Sequence, residues 1–300
     1  MRPTLFVVYE DIKTLKSNFS IKAVILSLLL VAFLPYIILG RFDGIGSQIT
    51  HSIAVLLIMM QLLMPYLAMR VSYKSISGEI KRNNHRLLLT FPISRLNLLI
   101  GKWISRSLAT AVAIILHVVV SVLISSILYK SMNAQDVVWI TIVTILLGAV
   151  FCAIGIAISC TTNADSIIPD LLITIVYAPV VFFWRGIPVL FKFLIGGGSV
   201  NNLPDPDYAG SDYFILRLNP LESYSSLVSW GISSDINILI PSSLRLPDFN
   251  TGQIITYSST PIEPSSVPVY AQEFVTITLS FLIPLLIMMY GYWKLKNREL

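Results

Sequence analysis

The sequence has few residues whose types and spacing suit catalysis. Its three histidines are not paired four residues apart, and none lies in an H-E-x-x-H helix that would bind zinc. No G-x-S-x-G is present, so the strained turn that exposes a nucleophilic serine is absent. Gly101 and Lys102 precede Trp103, and Leu96 stands where a phosphate-binding loop has its first glycine. The patterns predict that the chain is not an enzyme.

A different chemistry, partner binding, is indicated around Leu87 to Phe91. This apolar run is too short to cross a membrane. Pro92 stops a helix through it, and Ser94 can cap the helix that follows. Exposed apolar side chains between Arg86 and Arg95 are typical of a surface that binds another protein. The alternative is a turn that joins two membrane spans and rests on lipid.

The composition indicates that most of the protein surface faces lipid and not water. Apolar residue types make up 55% of the 300 residues and charged types only 12%, whereas a globular protein carries about 25% charged residues. This excludes a soluble enzyme, a disordered chain and a coiled coil. A helix needs about 20 mostly apolar residues to cross a bilayer. Six spans are predicted: Ala23–Gly40, Gly44–Met69, Ser107–Tyr129, Val137–Ala164, Ser166–Trp184 and Phe274–Trp293. The predicted fold class is an all-α integral membrane protein.

The positive charges orient the predicted spans. If the N-terminus is cytoplasmic, 15 of the 21 Lys and Arg residues lie on that side, in the N-terminal segment, between spans two and three, and in the tail. By the positive-inside rule, both termini are therefore cytoplasmic and the chain is a multi-pass protein of the plasma membrane. The formal net charge of +5 is then a signal of topology and not of nucleic-acid binding.

Two polar residues are candidates for a function within the membrane, where ionisable groups are unfavourable. Asp170 follows Pro169 in the first turn of span five, where the helix N-terminus favours a negative charge. Its alternative role is a proton relay. His117 lies midway along span three, where it either forms a hydrogen bond to a neighbouring helix or binds a ligand.

Two further regions flank the spans. In residues 1–20, apolar side chains recur at helical spacing while the bases lie between them, which predicts an amphipathic helix at the membrane surface with an apolar face of Leu5, Val8, Ile12 and Leu15. Its alternative is a plain extension of span one. Residues 185–273 are rich in Pro, Ser, Asn and Asp and predict an external loop or cap. Within it, Asn219 and Pro220 predict the start of a helix.

The segment between spans two and three resembles that of the permease subunits of ABC-2-type transporters. Gly78-Glu79 is followed by the Leu-rich run, then by Pro92-Ile93-Ser94-Arg95, and then by Gly101-Lys102 leading into span three. The whole plan of spans, external segment and basic tail is also similar. The chain departs from the family pattern at Ile80 to His85, which replaces an acidic turn with a basic one.

The resemblance implies that residues 1–300 form one transmembrane domain and that residues 70–106 form a cytoplasmic coupling loop. It implies an exporter, a homodimer in lipid, and a separate cytoplasmic ATP-binding subunit that holds the ATP and magnesium, with no cofactor in this chain. The coupling-loop residues implied are Glu79, Arg86, Leu87, Leu88, Leu89, Phe91, Pro92, Ser94 and Arg95, with Gly101 and Lys102 at the junction of loop and helix.

Two other classes of function stay open. A secondary transporter or channel that works alone needs ionisable groups or broken helices facing a cavity, and the sequence offers few apart from Asp170 and His117. A membrane scaffold or sensor would use the external segment as its binding module. Neither alternative requires an ATPase partner.

Overall fold

The structure is a computed structural model that describes residues 3–17, 48–81, 94–128, 133–163, 167–184, 214–215, 218–232 and 273–297. These residues contain helices and no strand. The main helices are α1 (Pro3–Ser17), α2 (Gln48–Ser72), α3 (Ser77–Lys81), α4 (Arg95–Leu128), α5 (Ala134–Thr161), α6 (Ile168–Ala178), α7 (Pro220–Gly231) and α8 (Glu273–Lys296). The predicted first span, Ala23–Gly40, lies outside the described residues.

Three of the described helices are long and apolar enough to cross a membrane: Arg95–Ile127 of α4, Ala134–Thr161, which is α5, and Phe274–Lys296 of α8. They coincide with the predicted third, fourth and sixth spans. The 25-residue helix α2 covers most of the predicted second span. Helix α6 continues into a π-helical turn, Pro179–Phe183, and lies within the predicted fifth span, but it is shorter than the others.

Helix α5 is at the centre of the bundle. Helices α2, α4, α6, α7 and α8 all pack against it, and every residue from Val150 to Cys160 is buried. A helix that is apolar on all sides is stable only when it is surrounded. Gly155 allows the closest approach, because a Cβ atom there would lie 2.8 Å from the carbonyl oxygen of Met69 in α2.

Helix α4 begins 12 residues before the predicted start of its span at Ser107. The prediction was based on uncharged runs and therefore excluded Lys102 and Arg106. Both side chains are buried in ion pairs, so the helix continues through them. At 1.5 Å per residue, 34 residues extend about 51 Å, well beyond an apolar layer of about 30 Å. The charged first turns of α4 therefore extend past the apolar part of the helix.

Helix α1 packs along the first turns of α4 in a parallel direction. Thr4 is 3.4 Å from Asn97, and a Cβ atom on Gly101 would lie 2.7 Å from the Cβ atom of Val7. The opposite face of α1 leaves Leu5, Tyr9 and Ile12 exposed, while Val7, Val8 and Leu15 are buried. The helix thus has one apolar face toward the bundle and a second apolar stripe away from it.

Helix α7 begins with the predicted cap, since the Asn219 side chain accepts a hydrogen bond from the Leu221 amide. It is packed into the bundle: Tyr224 is fully buried and its hydroxyl is 3.0 Å from the Thr144 hydroxyl of α5. The amide nitrogen of Gln61 in α2 donates to Ser225 over 2.9 Å. Part of the segment predicted to be an external loop therefore contacts the interior of the helix bundle.

Candidate functional site

A group of charged side chains, which we call the buried ion cluster, joins α1, α3 and α4. Its members are Asp11, Glu79, Lys102, Ser105 and Arg106. The Lys102 ammonium lies 2.5 Å from a carboxylate oxygen of Asp11 and also pairs with Glu79. The side chains of Lys102 and Asp11 are 2% and 0% exposed, and that of Glu79 is 23% exposed. Two acids thus balance two bases away from solvent.

Asp11 is the most connected member. One of its carboxylate oxygens is 2.9 Å from Nη2 of Arg106, and the Ser105 hydroxyl donates to the other oxygen. Burial by itself raises the pKa of Asp11, but the neighbouring charges of Arg106 and Lys102, with hydrogen bonds from Lys102 and Ser105, hold it below its ordinary value of 3.8. Asp11 is therefore ionised at neutral pH.

The cluster also reaches the end of α2. Arg106 donates from Nη1 to the carbonyl oxygen of Val71 over 3.0 Å, a position where the last carbonyl groups of a helix lack partners within it. The Ser159 hydroxyl of α5 accepts hydrogen bonds from the backbone amides of Ile76 and Ser77, at 2.9 and 3.0 Å. The turn that leads from α2 into α3 is therefore fixed to α4 and α5.

The described residues on either side of the segment 82–93 make contacts with several helices. Glu79 precedes the segment, and α4 begins just after it, where the Ser94 hydroxyl accepts from the Asn97 amide over 3.2 Å. Arg95 donates from Nη1 to the carbonyl oxygens of Leu295 and Lys296 at the end of α8, over 3.1 and 2.7 Å. A cation at a helix C-terminus is favourable. The described residues that flank the segment, which we call the base of the segment, are therefore also attached to α8.

A second ion pair group lies between α2 and α6. The Asp170 carboxylate pairs with Arg70, is 3.0 Å from the Lys74 ammonium, and accepts a hydrogen bond from the Tyr73 hydroxyl over 3.0 Å. Its side chain is 33% exposed. The sequence predicted a helix-dipole role or a proton relay for Asp170, and neither prediction included these partners. In the structure, Asp170 connects the start of α6 to the end of α2.

Five of the predicted coupling-loop and junction residues lie within the described ranges, namely Glu79, Ser94, Arg95, Gly101 and Lys102. Glu79 pairs with Lys102, whereas Arg95 contacts the end of α8 and Gly101 contacts α1. A second set lies outside the described residues, namely Arg86, Leu87, Leu88, Leu89, Phe91 and Pro92. His117 is buried in the middle of α4, far along the helix from the ion cluster. Within the described ranges, no three His, Cys, Asp or Glu side chains come together as a metal site.

Sequence reasoning missed Asp11. The predicted apolar face of α1 used Leu5, Val8, Ile12 and Leu15, but two of these, Leu5 and Ile12, are exposed. Asp11 lies on the buried face of α1, four residues after Val7 and four before Leu15, both of which are also buried. An acid at that spacing between apolar residues, together with bases in α4, was the only available signal.

Comparisons with known proteins find similarity to membrane proteins of ABC transporters. The family model described as "ABC-2 family transporter protein" matches residues 7–300. A relative from Stutzerimonas stutzeri, described as "Probable ABC transporter permease protein NosY", is 27% identical over 182 residues. The match covers 59% of this chain and 63% of the relative, so the chain spans somewhat less than two thirds of the length of the relative.

Proposed function

Because the chain belongs to the ABC-2 family of transporter proteins, we propose that it is the membrane-spanning subunit of an ATP-driven transporter. The observation that carries this proposal is the family match over residues 7–300. A separate cytoplasmic subunit binds ATP and magnesium and hydrolyses the nucleotide. In this proposal two copies of the chain pair in the plasma membrane and export a substrate, with both termini in the cytoplasm.

The proposal includes six spans. Three are the long apolar helices within α4, α5 and α8. Helix α2 and α6 with its π-helical turn supply two more, and residues 23–40 supply the sixth. The distribution of Lys and Arg supports this topology, because it places the basic segment between α2 and α4 on the cytoplasmic side. Helix α1 then lies at the inner membrane surface, with Leu5, Tyr9 and Ile12 toward lipid.

Residues 82–93 are the proposed site of ATPase docking. Leu87, Leu88 and Phe91 supply apolar contacts to the partner. The contacts at the base of the segment support this assignment: Glu79 is paired with Lys102 on one side, and Arg95 is bonded to the end of α8 on the other. When the ATPase subunits close on ATP, they would displace a segment whose two ends are attached to α2, α4 and α8.

The test of this proposal is copurification of an ATPase with the chain and its dependence on Leu88. In Leu88→Asp, an unpaired carboxylate in an apolar contact weakens docking, so we expect loss of the ATPase from the purified complex and normal membrane insertion. Asn133→Asp is the matched control, because it adds the same carboxylate at an exposed cap at the start of α5, away from the segment.

Three outcomes would contradict the proposal. If the chain moved a substrate in vesicles without any ATPase, it would be a secondary transporter or channel. If Leu88→Asp kept the ATPase as fully as Asn133→Asp, residues 82–93 would not be the docking site. Mapping that located residue 88 outside the cell would contradict the proposed topology.

A further inference from the structure

We propose that Asp11 is a positioning residue that forces helix α1 to move with the base of residues 82–93. This inference rests on the proposed function, since it assigns α1 a part in the response to the ATPase. It concerns a residue that lies far from the segment in sequence and that, among the described residues, is joined to Glu79 through Lys102 of the buried ion cluster.

Lys102 connects α1 to the base of the segment. Its ammonium pairs with Glu79, which precedes the segment, and with Asp11 of α1. The Glu79–Lys102 pair closes the chain around residues 82–93 at its base. The Asp11–Lys102 pair attaches α1 to the same ammonium group. A displacement that moves Glu79 and Lys102 together therefore acts directly on the carboxylate of Asp11.

The contacts between α1 and α4 differ in how strongly they fix the position of α1. Val7 against Gly101 is an apolar contact, and apolar contacts have no preferred direction. The bond between Thr4 and Asn97 is long, at 3.4 Å. Asp11, in contrast, accepts from Lys102 on one turn of α4 and from Ser105 and Arg106 on the next turn. Three directed bonds to one carboxylate fix α1 along the axis of α4.

Asp11 can be replaced without breaking the contacts at the base of the segment. In Asp11→Asn the Lys102–Glu79 pair remains, and so do the Arg106 bond to Val71 and the Ser159 bonds to the turn before α3. What is lost from the link to α1 is the negative charge of Asp11 and the carboxylate oxygen that accepts from Ser105. Since this change leaves one base in excess, Asp11→Asn with Arg106→Gln serves as a charge-balanced second variant, and Arg106→Gln alone controls for the bond to Val71 that the second variant also removes.

The matched control is Glu10→Gln. It removes one carboxylate from the neighbouring position of α1, which is outside the ion cluster and only partly buried. The nitroxide labels are placed at two positions, after the two buried cysteines have been replaced by alanine. Position 9 reports on α1, because Tyr9 is 58% exposed. Position 78 reports on the base of the segment, because a Cβ atom on Gly78 meets nothing within 4 Å.

The experiment records the spectrum of each label in the complex with its copurified ATPase, in lipid vesicles, without nucleotide and with ATP and vanadate. In the otherwise unchanged chain and in Glu10→Gln, we expect both labels to respond to the nucleotide. In Asp11→Asn and in the charge-balanced variant, we expect the response at position 78 to remain and the response at position 9 to be lost. A purely structural role for Asp11 would not separate the two labels.

The failures are distinguishable. If position 9 responds in both Asp11 variants as it does in the control, the inference is wrong and the proposed function stands. If both labels lose their response in the charge-balanced variant, the inference is wrong as well, because the cluster would then hold the segment itself. If no ATPase copurifies with the unchanged chain, the proposed function is contradicted, and this inference with it.

Discussion

At one end of the bundle, α1 and α3 are held by full charges, whereas α7, toward the other end, is held by neutral groups. Asp11, Lys102 and Arg106 form ion pairs that are largely shielded from solvent, and the partly exposed Glu79 pairs with Lys102. Helix α7 is held by a phenol, hydroxyls and an amide, as in the pairs of Tyr224 with Thr144, Ser223 with Ser280 and Gln61 with Ser225. Both regions connect helices that are distant in sequence.

The difference follows from depth in the bundle. Gln61 lies 13 residues from the start of α2 and 11 residues from its C-terminal end. It is therefore about 16 Å from the C-terminal end, where the ion cluster lies. An ionised group so far from water is strongly disfavoured in a membrane, whereas hydroxyl and amide groups are tolerated there. The ion cluster lies at the end of α2 and in the first turns of α4, where α4 extends beyond its apolar part. Charged side chains can therefore join α1, α3 and α4 by directed ion pairs at this end of the bundle.

The largest expected effect is that of Lys102→Met, which removes the base shared by two acids. The change removes the ammonium group that pairs with both Glu79 and Asp11. The loss of one partner of a buried ion pair typically destabilises the folded protein by about 3–5 kcal/mol. We expect a clear fall in the thermal unfolding midpoint in detergent. Lys294→Met is the control, because that lysine is exposed at the end of α8. Equal midpoints for the two variants would mean that the cluster adds no stability.

A smaller effect is expected at the other end of the bundle. Tyr224→Phe removes the hydroxyl that is 3.0 Å from Thr144. Thr144 keeps its bond to the carbonyl of Ile140, so the loss is one neutral hydrogen bond, worth about 1 kcal/mol.

The midpoint of Tyr224→Phe should therefore fall, but by less than that of Lys102→Met. Tyr290→Phe removes a phenol hydroxyl from an exposed side chain and should leave the midpoint unchanged. A loss in Tyr224→Phe as large as that in Lys102→Met would remove the distinction between the two regions.

The sequence predicted the helices better than their attachment. The long spans α4, α5 and α8 follow from apolar runs, and Ser94 and Asn219 mark helix starts correctly. The predicted third span begins 12 residues after the start of α4, because a search for uncharged residues cannot anticipate that Lys102 and Arg106 are paired. Pairing depends on which helices are neighbours, and this is not encoded in the local pattern of any one of them.

The same reason explains the uneven prediction of the site. Glu79 and Lys102 were found because they lie on either side of one recognisable segment. Asp11 was missed because its partners are 91 to 95 residues away. The burial of α7 was missed because its Ser, Tyr and Glu residues look like those of an external loop, although its polar groups are satisfied by α2, α5 and α8.

The smallest effect is expected from pH, because between about pH 5 and 8 Asp11 stays ionised and its contribution is constant. Its pKa in the folded chain is below the ordinary value of 3.8, so its stabilising contribution is present above that value and is lost as pH falls through the lower, folded value. Asn at position 11 cannot titrate. We therefore expect the difference in unfolding midpoint between the unchanged chain and Asp11→Asn to be constant above about pH 5 and to shrink below about pH 4. A difference that already shrank between pH 8 and 6 would show that a group other than this carboxylate controls the ion cluster.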